Sequence, residues 1–459
     1  MDSSKDQPTS VCHVVAVPYP GRGHINAMMN LCKLLASHKA DILITFVLTE
    51  EWLGFIGSEA KPDNIRFATV PNVIPSELVR AADIDGFIEA IMTNMEAPFE
   101  RLLGRLEQPP VLIVADTFLP WAIRVGNRRN VPAASFWPMP ASVFSVFQHF
   151  HLLAENGHFP VDLLERGNER VDYIPGVSST RLVDLPHFID GSSSNILSHI
   201  HEDFSWVAKA QYLLFPSIYE LETQVLDVLR AKFSLPVYTI GPLIPYFNSN
   251  NDPSGSGVFN YLKWLDSQPC SSVLYVSMGS FLSVSSAQMD EIAAGLCESG
   301  VRFIWVARGE TGRLKEVCGD MGLVVPWCDQ LRVLCHSSVG GFLTHCGWNS
   351  VREGVFAGVA FLAFPLLMDQ GMVSNLIVED WKVGLRVKKA EVKIDHLVTR
   401  EEIAGLVKKI MDLEDEEGKE MRRRARELKK ICHGAIAEGG SSETNINAFV
   451  RSISQGHEH

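Results

Sequence analysis

Three short stretches, far apart in the chain, carry residue types that could do chemistry. In Pro20-Gly21-Arg22-Gly23-His24 a glycine turn follows the apolar run 13–19. It opens a helical pattern whose face holds Ile25, Met28, Met29 and Leu35. A histidine at a helix start sits where the dipole disfavours positive charge, which suits a proton acceptor. In residues 344–350 (THCGWNS), the apolar run 339–344 feeds a helix bearing Val351, Val355 and Phe356. The unpaired N–H groups of such a helix start, near Asn349 and Ser350, fit an anion, and phosphate is the natural candidate. Ser350 and Glu353 also match a capping box, in which both side chains serve only the helix itself. Asp116 follows the buried run 111–115, at the edge where open α/β sheets place ligand groups. Its alternative is an N-cap for the helix through Trp121 and Val125.

The elements that must position these groups alternate. Strand 13–19, a helix and strand 42–48 make one β-α-β unit. Strand 111–115, strand 212–215 and an exit through 236–241 continue the series. Residues 247–257, rich in Asn, Ser, Pro and Gly, read as a linker. Apolar strands 272–277, 303–307, 323–325, 339–344 and 361–364, separated by helical patterns, form a second series. A charged helix over 416–436 and an amphipathic one over 444–453 end the chain. The expected fold is α/β: two doubly wound, Rossmann-like parallel-sheet domains facing across a cleft. The expected divisions are 1–245, a linker at 246–257, 258–440 and a C-terminal helix within 441–459. No fixed-period repeat accompanies them.

Composition narrows the function classes. At 459 residues, with 46% hydrophobic and 21% charged, the chain is globular and long enough for two cores. A formal charge of −13 argues against a nucleic-acid surface and against attraction to anionic membranes. The nine cysteines include no C-x-x-C pair, which suggests reduced thiols, a cytoplasmic location and no structural metal. Cys335-His336 and His345-Cys346 do not have the usual zinc spacing. The polar start of the chain lacks the pattern of a signal peptide, and no apolar run is long enough to span a bilayer. Gly21 and Gly23 supply two glycines of a dinucleotide fingerprint. Asn26 stands at the third, and Glu50 lies farther on than the usual acidic residue.

The window 327–370 resembles the signature of plant family 1 UDP-dependent glycosyltransferases. The matching positions are Trp327, Gln330, His336, Phe342, His345, Gly347, Trp348, Asn349, Ser350, Glu353, Gly358, Pro365, Asp369 and Gln370. The sequence departs from it at Asp329 and Ala360, where proline is usual, and at Phe364, where tryptophan is usual. The resemblance implies the GT-B architecture, with the C-terminal tail crossing back onto the first domain. It puts the uracil ring on Trp327, beside Cys328, and the ribose on Glu353 with Gln330. The diphosphate falls to His345, Gly347, Asn349 and Ser350, with Ser280 in the turn Gly279-Ser280, and the sugar to Trp348, Asp369 and Gln370. His24 and Asp116 match the family's catalytic pair. Gln370 implies UDP-glucose, since members with glutamine there usually use glucose. Parts of 118–150 and Pro186-His187-Phe188 would line a pocket for a small apolar acceptor bearing a hydroxyl or carboxyl group.

The expected activity is therefore inverting transfer of a sugar from a UDP-sugar co-substrate, by a monomer needing no metal or other cofactor. The competing reading is a sugar-nucleotide or small-molecule binding protein that has lost catalysis. The presence of both His24 and Asp116 favours the enzyme.

Overall fold

The computed structural model describes residues 12–38, 41–186, 194–244, 260–279, 284–388 and 397–455. The first sheet begins with β1 (Cys12–Val17), β2 (Ile42–Thr49), β3 (Ile65–Val70), β4 (Leu112–Asp116) and β5 (Ala133–Phe136). A separate antiparallel pair, β6 (Arg170–Val171) and β7 (Thr180–Arg181), precedes its last strands, β8 (Tyr212–Phe215) and β9 (Val237–Thr239). The second sheet holds β10 (Val273–Ser277), β11 (Arg302–Val306), β12 (Gly322–Val325), β13 (Val339–Thr344), β14 (Ala360–Ala363) and β15 (Gly384–Arg386). Both sheets are parallel throughout. Every residue of β1, β4 and β10 is buried. Strands covered by helices on both faces need apolar side chains at each position, so these three read as unbroken apolar runs.

The strand orders are β3-β2-β1-β4-β5-β8-β9 and β12-β11-β10-β13-β14-β15. Each sheet grows one way from its first strand, then returns to lay a later strand on that strand's other side. Connections leaving adjacent strands in opposite directions open a crevice beyond their carboxyl ends. In the first sheet that crevice lies between β1 and β4, which carry the chain to His24 and Asp116. In the second it lies between β10 and β13, which lead to Gly279 and His345. The expectation of two doubly wound α/β sheets is met. Asp116 is the last residue of β4, one position earlier relative to the strand end than the sequence suggested. Strands β3, β5 and β15 were not anticipated, and residues 246–257 lie outside the described residues.

Contacts away from the cleft join the halves. The buried Asp184 takes paired hydrogen bonds from Arg181, both 2.8 Å, and one from Arg386 of β15 at 2.9 Å. A β-carbon on Gly371 would lie 2.5 Å from the Asp184 carbonyl oxygen, so only glycine permits that approach. The long helix Glu416–Ile436 packs on the second half, with His433 stacked on Phe356 at 4.3 Å. The helix Ser441–Gln455 then returns to the first sheet, burying Ile446, Phe449 and Ile453 in that core. The Phe449 ring lies 5.4 Å from Tyr212 and 5.6 Å from Tyr238. Replacing Phe449 with alanine should cost about 3–5 kcal/mol of the stability of the first half, the usual span for a buried phenylalanine. The measurement is the urea midpoint. An unchanged midpoint would mean that the terminal helix contributes nothing to that core.

A candidate active site between the two crevices

His24 lies in the first turn of the helix Arg22–His38. Its Nδ1 is 2.7 Å from Asp116 Oδ2, across 92 residues of sequence. The other oxygen of Asp116, Oδ1, accepts the Phe118 N–H at 3.1 Å. A fully buried carboxylate with both oxygens engaged has one orientation. It holds the imidazole in the tautomer that places the proton on Nδ1, leaving Nε2 as the proton acceptor. The rings of Tyr19 and Phe118, 5.0 and 6.0 Å from the imidazole, limit its rotation. The helix Pro120–Arg128 is capped at Leu119, so Asp116 is not its cap.

The helix Trp348–Ala357 starts from Gly347 with no side-chain cap. Its first intrahelical bond runs from Val351 N–H to the Gly347 carbonyl at 3.0 Å, which leaves the N–H groups of Trp348, Asn349 and Ser350 ahead of it. The capping box read from Ser350 and Glu353 is absent, because Ser350 lies inside the helix. Its hydroxyl accepts from Gln330 Nε2 at 3.0 Å instead. His345 is wedged between two turns: a β-carbon on Gly279 or Gly347 would lie 2.7 or 2.4 Å from its Nε2. Burial pushes its imidazole down to about 4, so the ring is neutral. Its Nδ1 has no hydrogen-bond partner among the described residues.

The side chain of Asn349 has partners within the protein. Its amide donates to the Gly23 carbonyl at 2.8 Å, and its Oδ1 accepts from Arg352. The side chain thus ties the helix start to the turn that carries His24, and the backbone N–H is what it offers an anion. Arg352 is buried, also donates to the Pro242 carbonyl, and is pushed down to about 10 by desolvation.

Beyond β12, Trp327 stands 54% exposed, a flat ring open to an aromatic base. The amide of Gln330 accepts from Tyr275 Oη at 3.0 Å and donates to Glu353 Oε2 at 2.7 Å. Burial pushes Glu353 up to about 7 and the neighbouring Cys328 thiol to about 12. Cys328 is therefore an uncharged wall residue. Asp329 occupies the usual proline position with φ −72°, the angle proline would have. Its side chain caps the next helix, and its N–H, which proline lacks, donates to Tyr261 Oη at 3.1 Å. Ala360 opens β14, a position where proline is also tolerated, and Phe364 is fully buried.

Trp348 is buried beside Trp381, with its Nε1 unpartnered among the described residues. Asp369 is pushed up to about 6 by burial. Gln370 Oε1 accepts the N–H groups of Leu366 and Leu367 at 2.8 and 3.2 Å, which fixes where its amide nitrogen points. Ser280, His187 and Phe188 lie outside the described residues.

One cleft of about 1190 Å³ brings together His24, Trp327, His345, Glu353, Asp369 and Gln370. Its opposite wall is apolar, with Phe87, Met139, Val143 and Phe147. Tyr19, Arg80, Asp203 and Tyr275 also line it and were not found from the sequence. Tyr19 could have been found, since it stands in the turn that carries His24. The others have no motif around them. Among the described residues no group of three metal-ligating side chains occurs, and no helix is long and apolar enough to cross a membrane.

Glu353 generates a prediction about stability. Its carboxyl stays protonated up to about 7 in the folded chain, against an ordinary value of 4.5. Across that window the unfolded chain binds fewer protons, so folding stability falls as pH rises from 4.5 to 7. Glu353→Gln removes the titration. Relative to the parent, the variant should gain stability from pH 5 to pH 8 in thermal melts of the unliganded protein. Parallel curves would contradict this.

Comparison with known proteins agrees with the geometry. Residues 194–421 match the family described as UDP-glucoronosyl and UDP-glucosyl transferase. UDP-glycosyltransferase 87A1 of Arabidopsis thaliana is 53% identical over 446 residues, which is 96% of this chain and 100% of that protein. UDP-glycosyltransferase 87A2 of the same plant is 53% identical over 460 residues, 99% of each chain. The structure of Phytolacca americana UGT2 complexed with UDP-2fluoro-glucose and pterostilbene superimposes with a TM-score of 0.81. Its identity is 27%, over 96% of this chain and 99% of that one. Os79 from O. sativa, in complex with U2F and trichothecene, gives 0.81 at 29% identity over 96% and 100%. Likeness of this extent in both sequence and architecture means that the chain belongs to the plant family 1 UDP-glycosyltransferases and is a UDP-sugar-dependent glycosyltransferase.

Proposed function

We propose that this enzyme transfers glucose from UDP-glucose to a hydroxyl or carboxyl group of a small apolar acceptor, with inversion, to give a β-glycoside. The observation that carries the reading is the His24–Asp116 pair opening into the same cleft as the uncapped start of the helix Trp348–Ala357. In this reading residues 1–245 bind the acceptor, 258–440 bind the donor, and the tail within 441–459 returns to the first domain. Uracil stacks on Trp327, ribose hydroxyls meet Glu353 and Gln330, and the diphosphate lies over the backbone of Gly347 to Ser350 against His345. Ser280 is assigned to the same diphosphate. Trp348, Asp369 and Gln370 hold the sugar. The relative from Phytolacca americana, complexed with UDP-2fluoro-glucose and pterostilbene, supports both a glucose donor and an apolar acceptor.

Chemistry follows from the arrangement. His24 Nε2 removes the proton of the acceptor hydroxyl while its oxygen attacks the anomeric carbon and UDP departs from the opposite face. One bond forms as one breaks, so no enzyme nucleophile takes part, and a single displacement inverts the centre. Asp116 stabilises the imidazolium that forms, as the carboxylate does in a Ser-His-Asp triad. The growing charge on the diphosphate meets the helix start, where N–H groups already point. A binding protein without activity would need neither the histidine nor its buried orienting carboxylate.

His24→Ala should lower turnover by roughly 10² to 10⁴-fold, with UDP affinity largely unchanged, because only proton removal is lost. The requirement should shrink as acceptor pKa falls, since an ionised acceptor needs no base. Rates for both proteins on hydroxyls of graded acidity, with the product anomer identified by NMR, decide the mechanism. Equal rates on weakly acidic hydroxyls, or an α-glycoside, would contradict it.

The donor assignment is tested at Gln370. Alanine there would also strip hydrogen bonds from Leu366 and Leu367, so the informative change is Gln370→Glu, which keeps the accepting oxygen and removes the donor. UDP-glucose should bind more weakly and UDP equally well by calorimetry. Higher catalytic efficiency of the parent enzyme with UDP-galactose or UDP-glucuronate would overturn glucose.

A further inference from the structure

Asp203 is a buried acid in the cleft for which the proposed mechanism has no use. It lies on the helix Ser194–Val207, and with His199 and Ile200 it lines the cleft, as i, i+3 and i+4 spacing on one helix face allows. It is 3% exposed, and its Oδ1 is buried with no hydrogen-bond partner among the described residues. Basic side chains around the cleft are engaged elsewhere. Arg124 holds Glu96 at 2.9 Å and also Glu202, Arg80 holds Glu77 at 3.0 Å, and His199 holds Glu89 at 2.8 Å. The surrounding wall, with Phe118, Val143, Phe147 and Ile200, is apolar. A buried polar atom left unsatisfied in such a wall is destabilising, and the carboxyl that carries it lines the cleft.

We propose that Asp203 determines acceptor specificity, its carboxyl hydrogen-bonding an uncharged oxygen group at a second point of the acceptor, away from the hydroxyl presented to His24. The proposal rests on the glycosyltransferase reading above and narrows the acceptor to an apolar molecule with two uncharged oxygen functions. Burial, with the charges of Glu202 and Asp116 acting in the same sense and Arg124 opposing, pushes this carboxyl well above the ordinary carboxylate range. The burial of Tyr19, which also feels Asp203, likewise keeps its phenol protonated. A protonated carboxyl both donates and accepts, so a hydroxyl on the ligand satisfies it completely. A ligand with only hydrogen at that point leaves the group orphaned. An anion there is opposed by Asp116 and Glu202. Sites built to hydrogen-bond an oxygen reject the analogue lacking it much more strongly than apolar pockets reject a changed methylene.

The test uses matched phenols on two scaffolds: 4-hydroxybiphenyl, 4,4′-dihydroxybiphenyl and 4′-hydroxybiphenyl-4-carboxylate, with 2-naphthol, 2,6-dihydroxynaphthalene and 6-hydroxy-2-naphthoate. Binding to the UDP-loaded protein is measured by calorimetry, and glycoside formation from UDP-glucose by mass, for the parent, Asp203→Asn and Asp203→Leu. On at least one scaffold the parent should bind the diol about tenfold more tightly than the mono-ol and the carboxylate weakest. Asp203→Asn should keep the preference. Asp203→Leu should reverse it while leaving Tm equal or higher, because an unsatisfied buried group has been removed. The proposal is overturned if no scaffold discriminates, if a carboxylate binds best, if the leucine variant keeps the parental preference, or if its Tm falls. A diol preference that depends on Asp203 but yields no glycoside would sink the transferase reading and leave this one standing.

Discussion

The hydrogen bond from Asn349 to the Gly23 carbonyl joins the uncapped start of the helix Trp348–Ala357 to the turn that carries His24. Each half of the molecule is rigid within itself, because parallel strands covered on both faces allow little adjustment. Between the halves this contact stands beside those of Asp184 with Arg386, Arg352 with Pro242 and Asn375 with Thr180, and it is the one next to His24. Arg352 stands behind it, buried, giving its protons to the Asn349 side chain and the Pro242 carbonyl. A buried guanidinium with fixed partners is expensive to move, since displacement would leave N–H groups and their acceptors unsatisfied. The spacing of the two segments is therefore held from the back of the helix.

The same economy governs the electrostatics of the cleft. A chain of net charge −13 must hold an anionic donor, and it does so without a cluster of lysines at the helix start. Backbone N–H groups supply the positive end, and the histidine between the two glycine turns is neutral. The acids positioned for hydroxyl groups, Glu353 and Asp369, are raised by burial to about 7 and about 6. Near neutrality they oppose the donor's charge less than ordinary carboxylates would. Burial of these acids adds to the basic side chains that line the cleft, Arg22, Lys33 and Arg308 among them, in making it tolerant of an anion.

The sequence disclosed the parts whose physics is local. Strands such as β10 and β13 were legible because burial on both faces leaves an unbroken apolar run. The helix start after β13 was legible because glycine, a strand end and an apolar helix face are all close in sequence. Strand β3 was not, since four of its six residues are not buried, and β5 and β15 are too short to carry a pattern. Side chains whose meaning depends on distant partners were hidden in the same way. Asn349 could be assigned only to the ligand until Gly23 stood beside it, and Asp203 resembles any polar residue of an amphipathic helix until its surroundings are seen.

The terminal helix has a mechanical consequence. The chain leaves the first half after Ile244 and comes back to it before Ser441, whose hydroxyl bonds Glu220 at 2.9 Å. Asn445 reaches Thr239 of β9 at 3.4 Å, so the returning segment lands beside the departing one. The first core is thus completed by residues that lie last in the chain, and Ile446, Phe449 and Ile453 fasten the second half to the first while they fill that core.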